Sequence, residues 1–371
     1  MRILVAPDAF GGTLSAPEAV KAIIEGWHRH APGDVLTAAA MADGGPGFVD
    51  VLHQGIGGAL AAVTVRGPVG LEVPVTLLHA DGTAYVESAQ ACGLHLVDPP
   101  DPTHSSTYGV GQAVDAAVAA GATRIVVGLG GSATNDGGAG LLAALGATAD
   151  VPLDAGPSGL SGITEIDLSA AQGRLADIEL VIAADVDLGL LGMFGATKTF
   201  GPQKGLSDEQ IIAVDGVLDR YVVACCGPTP AERRIADAKG AGAAGGLGFA
   251  LMLLGGHVVS GIDLVAEAVG LTTQAAEHDL VVTGEGTYDF SSRAGKVAFG
   301  VATVAAAAAR PCIVLAGQVS VGSREMRAMG IESAYAVADV VGLESSMREP
   351  FAGLATLAER VARTWSPRAV E

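Results

Sequence analysis

The polar residues best placed to do chemistry lie in a glycine-rich segment, Gly128–Gly140, whose sequence is Gly-Leu-Gly-Gly-Ser-Ala-Thr-Asn-Asp-Gly-Gly-Ala-Gly. The apolar run Arg124–Val127 before it predicts a strand, and Leu141–Leu145 after it predicts a helix, so the segment is predicted to be a strand-to-helix turn. Glycines let a backbone approach a ligand closely, and the first N–H groups of a helix attract negative charge. The segment therefore predicts a site for a phosphate or a carboxylate. The alternative is a packing turn in which Asp136 is only a helix cap.

The side chains of this turn add to the predicted anion site. Ser132, Thr134 and Asn135 supply hydrogen-bond donors, whereas Asp136 is placed either to cap the helix or to hold a magnesium ion. The predicted binding residues of the turn are Gly130, Gly131, Ser132, Thr134, Asn135 and Asp136.

Other polar loops follow predicted buried strands elsewhere in the chain. In an α/β protein, loops at the carboxyl ends of the strands lie on one side of the sheet, which favours a single cleft. The candidates in these loops are Asp8, Asp43, Asp185, Lys198, Lys204, Glu285, Asp289, Arg293 and Lys296.

Carboxylates, lysines and glycine-rich turns together suit phosphoryl transfer, which needs magnesium, cations around the phosphates and a base for the acceptor hydroxyl. Asp185, at the end of an apolar strand, is predicted to hold magnesium or to act as the base, and Lys204 to neutralise charge. Asp8 and Asp43 are further catalytic candidates. For each residue the alternative is a turn cap or a solvated surface charge.

Composition excludes several classes of protein. The 371 residues carry a net charge of −19, which argues against nucleic acid and anionic membranes as partners, because both need a basic surface. No apolar run reaches the roughly 18 residues of a membrane span. The four cysteines have no metal-ligand spacing, which favours a reducing cytoplasm. The predicted partners are therefore small molecules.

The order of predicted elements indicates an α/β protein with two domains. Strands and helices alternate at both ends of the chain, which predicts a parallel sheet, whereas the middle contains short alternating runs typical of antiparallel strands. We predict a Rossmann-like α/β domain built from 1–66 and 275–371, with an inserted mixed α/β domain at 67–274.

A second glycine cluster permits a different interpretation. Gly240–Gly245 matches the Gly-x-Gly-x-x-Gly pattern of dinucleotide-binding proteins, and Asp263 lies at the distance expected of a ribose contact. The preceding residues, Ala231–Lys239, are charged and helix-like rather than an apolar strand, which favours close helix packing instead. An NAD-dependent oxidoreductase is thus a less favoured alternative.

Six motifs resemble, in order and spacing, those of the bacterial type 1 glycerate kinases. They are Ala6–Phe10 with Gly12–Ala16, Met41–Gly45, Gly130–Gly138, Phe200–Gly205, Gly240–Gly248 and Thr283–Gly286. The resemblance covers nearly the whole chain. It implies phosphorylation of D-glycerate by ATP, favouring 2-phosphoglycerate over 3-phosphoglycerate, in a two-domain α/β protein with its site in the cleft between the domains. A homodimer is compatible with it.

The sequence departs from the family pattern at several positions. The family usually has lysine where this chain has Gly11, glutamate at Pro46, Asn-Pro at Leu188-Gly189 and arginine at Thr287. Each lost cation removes a charge that could stabilise the transferring phosphoryl group. Two alternatives therefore stay open: a non-catalytic metabolite-binding relative, and a kinase for a related hydroxy acid.

Overall fold

The computed structural model describes residues 1–289 and 296–366. The chain divides into two compact units. The first comprises 1–43, 50–56 and 261–371, and the second comprises 44–49 and 57–260. The predicted binding residue Arg293 lies outside the described residues.

The strands are numbered in chain order. They are β1 (Arg2–Val5), β2 (Val35–Ala38), β3 (Ala59–Arg66), β4 (Glu72–Ala80), β5 (Thr83–Glu87), β6 (Arg124–Gly128), β7 (Thr148–Ala149), β8 (Ile166–Asp167), β9 (Glu179–Ala183), β10 (His257–Val259), β11 (Leu280–Tyr288), β12 (Cys312–Val319) and β13 (Ser333–Ala336).

The helices are numbered in the same way. They are α1 (Ala16–His30), α2 (Phe48–Ile56), α3 (Ser88–Cys92), α4 (Tyr108–Ala119), α5 (Ala139–Ala144), α6 (Gly156–Gly159), α7 (Ser169–Arg174), α8 (Ala196–Phe200), α9 (Asp208–Cys226), α10 (Leu247–Leu253), α11 (Gly261–Ala268), α12 (Leu271–Glu277), α13 (Val297–Ala307), α14 (Ser323–Ala328), α15 (Ala338–Val341), α16 (Leu343–Arg348) and α17 (Pro350–Trp365).

The first unit contains a parallel sheet with the strand order β13-β12-β11-β1-β2. Its strand β1 pairs with β11 on one side and β2 on the other, so that Ile3 lies opposite both Leu280 and Leu36. Ile3, Leu4 and Val5 have no exposed surface, as expected of a strand covered on both faces. The predicted α/β fold with a parallel sheet is confirmed.

The second unit contains a mixed sheet with the strand order β10-β9-β6-β5-β4-β3. Strands β3, β4 and β5 are antiparallel, and β5, β6, β9 and β10 run parallel to one another. The β4–β5 hairpin turns at Asp81 and Gly82, whose φ angles of 47° and 76° give the twist that two-residue hairpins favour.

The limits of the units differ from the sequence-based division. We predicted that 1–66 belong with the chain ends, but β3 pairs along its whole length with β4 and so joins the second unit's sheet. At the other boundary the first unit already begins at Gly261, with α11 and α12, rather than at residue 275. The pairing of β3 with β4 decides which unit β3 belongs to. This pairing cannot be read from the local sequence.

Strand β11 is longer than its apolar core. We predicted Glu285 in a polar loop after a buried strand, whereas β11 continues to Tyr288 because Thr287 and Tyr288 pair with Gln318 and Val319 of β12. Consequently Glu285 lies within a strand and not in a loop.

Candidate active site

The first unit contains a cavity of about 420 Å³ where the parallel strands end. Four of the predicted site residues line it: Asp8, Asp43, Glu285 and Lys296. The lining also includes Ala9, Phe10, Gly11, Thr13, Gly286, Thr287, Gly317, Gln318, Val337, Ser346, Met347 and Pro350. This is the edge at which ligands bind in open α/β sheets.

Asp8 is held by backbone hydrogen bonds in the loop after β1. Its N–H donates to the carbonyl oxygen of Gly284 at 2.8 Å, and its Oδ1 accepts from the N–H of Ala9 at 2.7 Å. Burial raises the pKa of the Asp8 carboxyl well above its ordinary value, and the nearby Asp43 and Glu285 carboxylates raise it further. A carboxylate with a raised pKa at the wall of a cavity is a good proton acceptor.

Lys296 brings a cation to the same cavity. It precedes α13, and its Nζ lies 3.6 Å from Glu285 Oε2 and 4.0 Å from Asp289 Oδ1. The side chain of Glu285 is 8% exposed, so its charge is only weakly screened by water. The predicted residues Glu285, Asp289 and Lys296 are thus brought together.

Glycines allow the backbone at this cavity to pack closely. A Cβ at Gly284 would overlap the carbonyl oxygen of Leu315, and a Cβ at Gly317 would lie 2.5 Å from the carbonyl oxygen of Gly286. The Thr-Gly-Glu-Gly motif therefore brings β11 and β12 into close backbone contact beside Glu285.

In the second unit, the segment Gly128–Gly140 is the turn that the sequence predicts, joining β6 to α5. A Cβ at Gly130 would lie 2.6 Å from Gly45 Cα, and a Cβ at Gly131 would lie 2.9 Å from Pro46 Cγ. These glycines are required because the two glycine-rich turns pack against each other.

Asp136 is a structural residue of this turn. Its Oδ2 accepts hydrogen bonds from the Thr107 N–H at 2.8 Å, the Thr107 hydroxyl at 2.9 Å and the Gly140 N–H at 3.2 Å. Its Oδ1 accepts from the Gly138 N–H at 3.0 Å, and the residue has no exposed surface. Because both oxygens are used internally, the expectation that Asp136 holds magnesium is corrected in favour of a cap.

Lys204 and Ser132, predicted from distant segments, are in direct contact. Lys204 Nζ donates to Ser132 Oγ at 3.0 Å and to the carbonyl oxygen of Thr134 at 2.6 Å. Lys204 is only 3% exposed, and burial lowers its pKa to about 8. A lysine is rarely buried to this extent without a functional or structural partner.

Thr134 and Asn135 are also fully buried, and Asn135 Nδ2 donates to Thr197 Oγ1 at 2.9 Å, tying α8 to the turn. The next residue, Lys198, is exposed to solvent. Burial raises the pKa of Asp215 on α9, and the Lys198 charge partly offsets that rise. Lys198 therefore lies at the surface of the second unit near Asp215.

Asp185 lies half-buried just after β9. Strands β6 and β9 are parallel neighbours, with Gly128 opposite Ala183, so Asp185 and the Gly128–Gly140 turn follow adjacent strand ends. The sheet thus places both at one edge of the second unit.

The cluster Gly240–Gly248 serves close packing. The carbonyl oxygen of Gly245 accepts the N–H of Gly137 at 3.0 Å, and a Cβ at Gly246 would lie 2.6 Å from Gly137 Cα. The segment before it, Glu232–Asp237, is a short 3₁₀ helix, not the strand that a dinucleotide-binding loop requires. The geometry gives no support to the oxidoreductase alternative.

Sequence reasoning missed two features of these sites. Thr107, which binds Asp136, belongs to the buried polar run Ser105–Thr107 before α4, a pattern that could have been interpreted as a helix cap. Cys92 lies close enough to Lys204 for each to influence the other's ionisation, and burial raises the pKa of this thiol to about 12. No sequence pattern links Cys92 to Lys204.

Comparison with known proteins identifies the family of the chain. The model of the glycerate kinase family matches residues 3–366. Glycerate kinase from Bacillus subtilis is 39% identical over 98% of this chain and 96% of its own length. Glycerate 2-kinase from Escherichia coli is 37% identical over 98% of both chains. A crystal structure assigned to glycerate kinase 2 from Salmonella typhimurium is 34% identical, covers 98% of both chains and has a TM-score of 0.79.

These matches define the class of protein: a kinase with the α/β fold of the glycerate kinase 2 structure. The chain belongs to the glycerate kinase family. Within the part of the chain that the structure describes, no helix is long and apolar enough to cross a membrane.

Proposed function

We propose that the protein uses ATP to phosphorylate D-glycerate on its 2-hydroxyl group. The observation that carries the proposal is the full-length family match combined with the carboxylate-lined cavity of the first unit. The name of the Escherichia coli relative, glycerate 2-kinase, supports the 2-position over the 3-position.

Asp8 is the group we assign to accept the proton of the acceptor hydroxyl. Its Oδ1 is occupied by the Ala9 N–H, whereas Oδ2 accepts no hydrogen bond from a described residue. The raised pKa makes this oxygen basic enough to take a proton near neutral pH. The backbone bond to Gly284 fixes the loop that carries it.

Magnesium fits the chemistry of the same cavity. The Asp43 and Glu285 charges both raise the pKa of Asp8, so carboxylates crowd here in a way that a cation would relieve. The described residues include no group of three or more side chains arranged to hold a metal ion. Magnesium takes only one or two carboxylates and completes its shell with substrate oxygens and water. Asp43 would hold the ion, which would supply charge neutralisation for the phosphoryl group.

The remaining residues supply charge and orientation. We assign Lys296 to the transferring phosphoryl group, with Glu285 and Asp289 holding its ammonium in place. In the second unit, Lys204 and Ser132 form the polar part of the glycine-rich turn. Asp185 stays a proposed magnesium ligand or base.

A second candidate, a kinase for a related hydroxy acid, is favoured by two lining positions. Gly11 and Thr287 line the cavity where the family has lysine and arginine. The described lining therefore carries three carboxylates, at Asp8, Asp43 and Glu285, against the single cation of Lys296. An acceptor substrate with less negative charge around its hydroxyl group would be repelled less by the carboxylates that line this cavity. A non-catalytic metabolite-binding relative is the third candidate.

An ADP-release assay on the purified protein separates these three candidates. Magnesium-ATP is supplied with D-glycerate, L-glycerate, glycolate, tartronate or no acceptor, and the product is located by phosphorus NMR. Turnover dependent on D-glycerate with phosphate on the 2-position supports the proposal. Turnover only with another acceptor supports the related kinase, and thermal stabilisation by ligands without turnover supports the binding protein.

Two further proposals concern the cellular location and the oligomeric state of the enzyme. We propose that it acts in the cytoplasm, which is compatible with its free cysteines, Cys92, Cys225, Cys226 and Cys312. We also propose a homodimer, which light scattering of the purified chain tests directly.

A further inference from the structure

The ammonium group of Lys204 is buried beside the glycine-rich turn and makes no ion pair with a described residue. Two of its three N–H bonds donate to neutral acceptors, Ser132 Oγ at 3.0 Å and the carbonyl oxygen of Thr134 at 2.6 Å. The third N–H has no acceptor among the described residues. Removing a charge from water is costly unless an opposite charge or a full set of hydrogen bonds replaces the water.

The ionisable groups that face Lys204 do not compensate it by contact. They are the Asp136 carboxylate of the turn and the Cys92 thiol at the end of α3. Both oxygens of Asp136 are already bonded to backbone and hydroxyl donors, and the thiol, with its pKa of about 12, is uncharged near neutral pH. The Lys204 ammonium is therefore a buried cation whose hydrogen bonds are only partly satisfied.

The donors of the turn are divided between two ends. At the helix end they are used internally, because Asp136 accepts from Gly138 and Gly140, and the Thr107 hydroxyl accepts from the N–H of Leu141. At the strand end, the backbone N–H groups of Gly131 and Ser132 donate to no acceptor within the described ranges. Gly131 is exposed to solvent, and Ser132 lies directly beside it at 6% exposure.

Resting on the proposed function, we propose that Lys204 and Ser132 form a built subsite for one oxyanion group of a substrate, at the strand end of the turn. The Ser132 hydroxyl accepts a hydrogen bond from Lys204 and donates to no acceptor among the described residues, so its proton is available to the ligand. The oxyanion supplies the acceptor that the third N–H of Lys204 lacks. Asp136 excludes the ligand from the helix end of the turn.

The chemistry that this subsite recognises is shared by the two substrates. A carboxylate of the hydroxy acid and a phosphate group of the nucleotide both present oxygen acceptors with negative charge. Because the subsite supplies one cation and one hydroxyl, we expect it to bind a single such group, so that only one of the two substrates depends on it.

Separate binding measurements identify that substrate. Isothermal titration calorimetry is carried out with D-glycerate alone and with ATP alone, on the parent, Lys204→Met and Ser132→Ala. Lys239→Met is the matched control, because Lys239 is an exposed lysine of the same unit whose ion pair with Asp187 is solvated. We expect Lys204→Met to weaken one ligand by about 10- to 100-fold and the other by less than about threefold. Ser132→Ala should weaken the same ligand, and Lys239→Met neither.

Proton uptake gives a readout that is independent of turnover. Because the free lysine has a pKa of about 8, binding an anion at pH 8 should raise that pKa and draw up to about half a proton from the buffer. Calorimetry in two buffers of different ionisation enthalpy measures this uptake. The uptake should approach zero at pH 6.5 and should be absent in Lys204→Met.

The outcomes separate the subsite from the reaction. Unchanged affinity for both ligands in Lys204→Met and Ser132→Ala, in a parent that turns over, overturns the subsite alone. A parent that binds one ligand with proton uptake but never transfers phosphate overturns the proposed function alone. If Lys204→Met fails to fold, Ser132→Ala and the proton uptake of the parent decide the matter.

Discussion

The hydroxyl of Thr107 donates to Asp136 Oδ2 at 2.9 Å and accepts the N–H of Leu141 at 3.0 Å. One side chain therefore links the loop before α4, the glycine-rich turn and the first turn of α5. All three residues are fully buried. The Asp136 carboxylate therefore holds the helix end of the turn in shape from within the protein.

Removing the Thr107 hydroxyl should destabilise the protein. Thr107→Val keeps the shape of the side chain but leaves the buried Leu141 N–H without an acceptor and removes one of the three hydrogen bonds to Asp136 Oδ2. We therefore expect a loss of about 1–3 kcal/mol in the free energy of unfolding. Thr107→Ser retains the hydroxyl and should lose less than half of that. Urea unfolding of both variants measures the difference, and equal losses would show that the methyl group, not the hydroxyl, matters.

Asp8→Asn should separate stability from activity. The folded protein holds the Asp8 proton to a higher pH than the unfolded chain, in which the pKa of an aspartate carboxyl is about 3.9. Ionisation therefore costs stability progressively as pH rises from that value through the raised pKa of the folded state. The neutral amide avoids this cost, so the variant should melt at a higher temperature than the parent at pH 7.5 and at the same temperature near pH 3. Turnover should fall about 100-fold or more, because the proton acceptor is lost.

A carboxyl group whose pKa is lowered, rather than raised, provides the control. Glu18 accepts from the N–H and hydroxyl of Ser15 in the capping box of α1, which lowers its pKa. Glu18→Gln should therefore slightly destabilise the protein at neutral pH, and the loss should disappear on acidification through the pKa of Glu18. An Asp8→Asn variant with lower stability at pH 7.5 would contradict the raised pKa.

Local sequence predicted the elements better than the contacts between them. The start of helix α1 is encoded in local sequence, because Ser15 and Glu18 form a capping box and apolar residues recur at helical spacing after it. The sequence could not show that β3 pairs with β4, nor that β11 extends through Glu285, because pairing joins residues far apart in the chain. The role of Asp136 was ambiguous for the same reason, because its hydrogen-bond partner Thr107 lies 29 residues away in the chain.

Restoring the cations of the family should improve the cavity for anionic substrates. Gly11 is exposed, lies outside the positive-φ region and has open space where a Cβ would stand, so Gly11→Lys should be tolerated. Thr287 is exposed as well, which makes Thr287→Arg acceptable. In the double variant we expect the KM of D-glycerate or of magnesium-ATP to fall by about tenfold, equivalent to one charge-assisted hydrogen bond.

Gly33→Lys is the matched control for added charge, because Gly33 is exposed in the loop before β2 and does not line the cavity. It should leave both KM values within about twofold of the parent, since exposed charges outside the site are screened by salt. A double variant with unchanged KM for both substrates would show that the cavity does not use these positions to bind anions.

The packing role of Gly245 leads to the last prediction. Its φ is +70°, and a Cβ there would overlap the carbonyl oxygen of Thr134, the same oxygen that accepts from Lys204. Gly245→Ala should therefore cost about 2–5 kcal/mol from strain and overpacking, and should displace that carbonyl oxygen from Lys204. Gly216→Ala, within α9 and with open space for a Cβ, should instead stabilise by about 0.5–1 kcal/mol. Urea unfolding and kcat/KM of the two variants test this. A Gly245→Ala protein with parental stability would show that the glycine cluster is not a packing element and would return the dinucleotide-loop interpretation to consideration.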